Sequence, residues 1–238
     1  MRGVRLNQDS AELTAAAEYK FGTDAVSQDG IIDPTALGPR LEDLLAKLGV
    51  RDRSQLRVGF TIGPRNSGVG SGPSMSGWLE AQANNLREPM LCSGGLGIAF
   101  APSRAVDAAL KLASGAGIDL VRVDLAPVAA ARAIGDQVED LICIGSGQGW
   151  QARMRDFEVL EAMENGDVGP DDPLAIFAGN GSSRSIARYG WVEIAPELDQ
   201  SRRLDIGQLA TAVGVAIGIA YESPANLLTG KAVRCAPR

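Results

Sequence analysis

Leucines at 37, 41, 44, 45 and 48 recur at helical spacing, so the chain predicts one amphipathic helix early in its length. Asp33 stands where an N-cap belongs, Pro34 suits a first helical position, and Gly49 closes the run. Ahead of it, Val4–Leu6 and Glu12–Glu18 are strand-like segments about a turn-rich Asn7-Gln8-Asp9-Ser10, which predicts a hairpin. Leu56–Ile62 predicts another strand. Beyond it, Gly63, Gly68, Gly70 and Gly72 predict a flexible loop, and Ser74–Asn85 predicts a helix capped by Ser74.

The middle third alternates strand and helix. Gly97–Ala101 predicts a strand, Pro102-Ser103-Arg104 opens a helix to Ser114, Leu120–Leu125 predicts a strand, and Val128–Ile134 predicts a helix behind Pro127. That alternation signals an α/β layer architecture. Asp140–Ile144 runs into Gly145-Ser146-Gly147 and returns through Trp150–Arg155, the pattern of a hairpin. Leu174–Ala178 predicts a strand entering Gly179-Asn180-Gly181-Ser182-Ser183 and then a helix. Finally, Ile206–Tyr221 is apolar almost all round and reads as a buried helix, with Gly214 and Gly218 letting a neighbour approach closely.

Composition narrows the chemistry. The 238 residues suit one large domain or two small ones, and 45% hydrophobic content is enough for a core. A net charge of −6, with Arg51/Arg53/Arg57 and Arg202/Arg203 as short basic groups read as solvated surface, argues against a nucleic-acid partner. Cys92, Cys143 and Cys235 form no Cys-x-x-Cys pair, and reduced thiols in a cytoplasmic protein are the expectation. No signal peptide is expected at the N-terminus, and the apolar run Leu209–Tyr221 is too short to span a bilayer. Histidine is absent, which removes Ser-His-Asp and Cys-His catalysis and every His-ligated metal site. Gly68-Val69-Gly70 begins like a dinucleotide fingerprint, but no Walker Lys-Ser/Thr follows.

In this order the pieces resemble the PilM branch of the actin-like superfamily. Glu12–Leu37 resembles that family's first sheet hairpin and helix entry, Leu56–Ile62 its next core strand, and Pro73–Ala83 the opening of its inserted small subdomain. The closest local likeness is Ile98–Asp124 (IAFAPSRAVDAALKLASGAGIDLVRVD). Ile142–Gly147 (ICIGSG) sits where the second phosphate-binding hairpin falls, and Ile176–Ser183 (IFAGNGSS) where the adenosine loop falls. Leu209–Tyr221 with Asn226-Leu227-Leu228 resembles the family's ending.

The resemblance implies an actin-like (ribonuclease H-like) core over 1–62 and 125–238, with an inserted small α/β subdomain over 63–124. Three departures qualify it. The family's opening phosphate loop would fall ahead of Met1. Cys143 stands where an acidic residue would help organise Mg²⁺ and water, which a thiol does not do. Only Gln148–Leu174 separates the two glycine turns, so the second upper subdomain is expected to be largely missing.

No catalytic residue and no metal ligand is therefore expected. Gly145, Ser146 and Gly147, with Gly179, Asn180, Gly181 and Ser182, stand open between two readings: tight turns, or residual binding of ATP or ADP through backbone N–H groups. By resemblance the partner is the cytoplasmic tail of an inner-membrane PilN-like protein. It would dock in a groove carrying Phe60, Ile62, Met75, Trp78 and Leu79. The expected role is a scaffold or adaptor of a type IV pilus or related secretion assembly, cytoplasmic and peripheral to the inner membrane, without direct membrane insertion. A weak ATPase is the alternative, and the apolar Leu209–Tyr221 helix is a candidate surface for a homo-oligomer.

Overall fold

Alternation at the N-terminus resolves into β1 (Arg2–Leu6) and β2 (Leu13–Glu18), paired antiparallel with Arg2 opposite Glu18 and Leu6 opposite Leu13. An Arg2–Glu18 ion pair at 3.3 Å closes the open end. The computed structural model describes residues 1–7, 12–19, 25–27, 30–31, 33–62, 68–70, 90–93, 98–134, 140–145, 148–155, 158–165, 175–177, 206–223 and 225–233.

A two-residue ribbon, β3 (Val26–Ser27) with β4 (Gly30–Ile31), leads into α1 (Pro34–Lys47). The start of α1 follows its local signals: Asp33 Oδ1 accepts from the backbone N–H of Thr35 and Ala36 at 2.9 and 3.2 Å. Its end does too, because Gly49 adopts φ 71°, a left-handed conformation that side chains resist. Leu37, Leu41, Leu44 and Leu45 form the buried stripe.

β5 (Arg57–Ile62) follows, then β6 (Gly68–Gly70), β7 (Met90–Ser93) and β8 (Ile98–Pro102). Next come α2 (Ser103–Gly115), β9 (Asp119–Leu125) and α3 (Ala126–Ile134), so Pro127 lies in the first turn of α3, where a missing N–H costs nothing. The chain continues through β10 (Asp140–Gly145), β11 (Gln148–Arg155), β12 (Glu158–Asn165) and β13 (Ala175–Phe177). α4 (Ile206–Ala220), a 3-10 turn (Leu227–Thr229) and β14 (Lys231–Val233) complete it.

These strands form an eight-stranded sheet in the order β13-β10-β11-β12-β6-β8-β7-β14, and separate pairs β1-β2, β3-β4 and β5-β9. β5 and β9 run parallel, Arg57 opposite Asp119 and Ile62 opposite Leu125. β9 crosses the expected boundary at 124/125 and lies on β5. α4 overlies β1, β5 and β9 on one face, while α1 and α2 pack on the other.

Three expectations are refined. Gly68-Val69-Gly70, expected within a flexible loop, is the strand β6, pairing with β8 on one side and β12 on the other. Tertiary pairing overrides the flexibility that glycine confers locally. Among the described side chains of α4, a candidate surface for a second copy, Leu209, Ala210, Val213, Val215 and Ile217 are buried within the chain. Arg53 is more than solvated surface, since it grips Glu42 of α1 and donates to the Ala116 carbonyl beyond α2 at 2.6 Å. The Ser74–Asn85 helix and the helix after Ser183 lie outside the described residues. Among the described residues no helix is long and apolar enough to cross a membrane.

Candidate functional site

Gly145 ends β10 opposite Gln148, the tight return that the glycines predict. β13 runs parallel to β10 with Ile144 opposite Phe177, so the chain leaves both strands at the same end of the sheet. Cys143 lies within β10, opposite Trp150 and beside Ile176. Ser146, Gly147, Gly179, Asn180, Gly181 and Ser182 lie outside the described residues, as do Met75, Trp78 and Leu79. Of the expected groove, the described side chains are Phe60 and Ile62. Ile62 is 4% exposed and belongs to the central core, so its side chain serves packing and not a groove wall. Phe60 is half-buried and packs against both major core clusters.

The densest polar geometry lies elsewhere. Arg122 and Asp124 sit two apart on β9 and so share a face, here beneath α4. Asp124 is 0% exposed, Arg122 3% and Arg132 of α3 5%. Asp124 Oδ2 accepts from Arg122 Nε and from Arg132 Nη1, each at 2.7 Å. Two guanidinium groups thus share one carboxylate, and the surplus positive charge is met by backbone carbonyls. Arg122 donates to the carbonyls of Gly218, Ser223 and Ala225, and Arg132 donates to that of Gly214. These oxygens belong to the last turns of α4 and the segment behind it, where the helix dipole is negative. Asp124 Oδ1 has no hydrogen-bond partner among the described residues.

Asn226 adds a second tie. Its Nδ2 donates to the Val121 carbonyl at 2.9 Å, while its Oδ1 accepts from the N–H of Val123 and Leu228 at 3.2 and 3.1 Å. One amide side chain thereby serves the edge of β9 as a neighbouring strand would. Arg122 and Asn226 together bind the segment after α4 across β9, and β14 then joins β7 of the large sheet. An open cleft of ≈ 260 Å³ lies over this joint, bordered by Arg57, Arg122, Ile219, Glu222, Asn226 and Thr229. Its mouth carries Arg57 and Glu222 at 4.0 Å.

Such an arrangement fixes backbone. Among the described residues no group of three or more His, Cys, Asp or Glu could hold a metal ion. The shifted carboxyls lie at the surface: Arg53 holds Glu42 below the usual range by a hydrogen bond, and the Ser54 N–H does so for Asp52. Sequence reasoning missed the Arg122–Asp124–Arg132 cluster. Its signal was two alternate charges within the apolar stretch Leu120–Leu125 and a third within Val128–Ile134.

Helices on both faces of β5 and β9 define an α/β protein. No protein-family model matches the chain, and no curated protein sequence matches it either. Among solved structures it is similar to a chain of the PilM–PilN type IV pilus biogenesis complex. The TM-score is 0.65 at 16% identity, over 91% of this chain and 94% of that one. Ethanolamine utilization protein EutJ from Carboxydothermus hydrogenoformans gives 0.48 at 16% identity, over 90% and 84%. The cytoplasmic domain of EpsL, an inner membrane component of the type II secretion system of Vibrio cholerae, gives 0.44 at 13%, over 95% and 91%.

Proposed function

We propose that this chain is a non-catalytic scaffold or adaptor of a type IV pilus or related secretion assembly, binding the cytoplasmic tail of an inner-membrane PilN-like partner. The observation that carries the reading is the shared fold with the PilM–PilN complex chain across 91% of this one. On this reading the protein is cytoplasmic and reaches the inner membrane through its partner. Absence of catalysis is supported by the lack of histidine and by Cys143 on β10, at the position where the resemblance calls for an acid. It is also supported by chain length: residues 166–174 alone connect β12 to β13, too few for a nucleotide-clamping subdomain. The test is a pull-down with a synthetic peptide copying the cognate PilN-like tail. Binding at or below micromolar concentration is expected, and none at high micromolar peptide sinks the reading.

A second reading, a nucleotide-binding protein, is favoured by one observation. Parallel β10 and β13 end together, and ligands of open α/β sheets bind at carboxyl ends of strands. Thermal shift with Mg-ATP and ADP separates the two. A bound nucleotide at about a hundred times its Kd adds roughly 2.7 kcal/mol.

A further inference from the structure

We draw no further inference here: the strongest candidate, the open cleft between β9 and the segment after α4, is lined by Arg122 and Asn226, whose polar groups already bond Asp124 and the chain's own backbone, and nothing in the structure shows what would occupy it.

Discussion

Arg122 Nε meets Asp124 Oδ2 at 2.7 Å, two residues along one strand, with almost no solvent reaching either side chain. The carboxylate also serves Arg132, so a single negative charge holds two buried cations. Asp124→Asn keeps the size and removes the charge, leaving both guanidinium groups without a counter-ion. Loss of roughly 3–5 kcal/mol is expected, since a broken buried pair leaves an uncompensated charge in low dielectric. Urea unfolding measures it. A loss below about 1 kcal/mol would mean the cluster is hydrated and the buried geometry is wrong.

Two glycines of the helices should respond with opposite signs. Gly214 of α4 faces the Ala129 carbonyl of α3 so closely that an added Cβ would overlap that backbone. Because no side chain can rotate away, Gly214→Ala should lose about 3 kcal/mol. Gly38, inside α1, has nothing within 4 Å of an added Cβ. Gly38→Ala should therefore gain about 0.5–1 kcal/mol from reduced backbone entropy. Thermal unfolding of the two single variants decides it, and equal shifts would refute the α3–α4 contact.

What the sequence made legible was whatever carries its own local signal. Asp33, Pro34, the leucine spacing and Gly49 bound α1 without outside help, and the glycines at 214 and 218 announced close packing. The strands that went unread lack such signals. β12 reads Glu-Val-Leu-Glu-Ala-Met-Glu-Asn, whose acids suggest surface, and it becomes a strand through pairing with β11 and β6. β6, β7 and β14 are three or four residues each and exist through their neighbours. The candidate site divides the same way. The turn at Gly145 is local and was foreseen, whereas the Asp124 cluster joins residues far apart in the chain, with Ser223 and Ala225 among them.

Asn226 should be more sensitive than its half-buried position suggests. Asn226→Ala removes three hydrogen bonds and leaves the Val121 carbonyl and Val123 N–H unpaired at the β9 edge. A loss of about 2 kcal/mol is expected. Asn226→Asp is the sharper comparison. It keeps the acceptor for Val123 and Leu228 but sets a carboxylate oxygen against the Val121 carbonyl, so it should not restore stability. Chemical denaturation of both variants checks this, and a wild-type Asp variant would show that Nδ2 is not the donor to β9.

The chain's amino group gives a pH dependence of defined sign. Met1 N donates to the Tyr19 carbonyl at 2.7 Å, at the margin of the cluster holding Leu44 and Leu48. Burial, then the neighbouring Arg2 charge, lowers its pKa from 8.0 to about 6, against the pull of Glu18. A base whose folded pKa is depressed binds protons more readily unfolded, so stability is highest above pH 8. It falls as pH drops from 8 toward 6 and levels below that. Two pH units correspond to at most about 2.7 kcal/mol. Half of the group remains exposed, and solvent screening reduces the expected change to about 1 kcal/mol. Urea midpoints at pH 9 and pH 5.5 read it, comparing the free amine with the Nα-acetylated chain. Acetylation removes the titration, so a difference of equal size in both forms would assign the dependence to other groups.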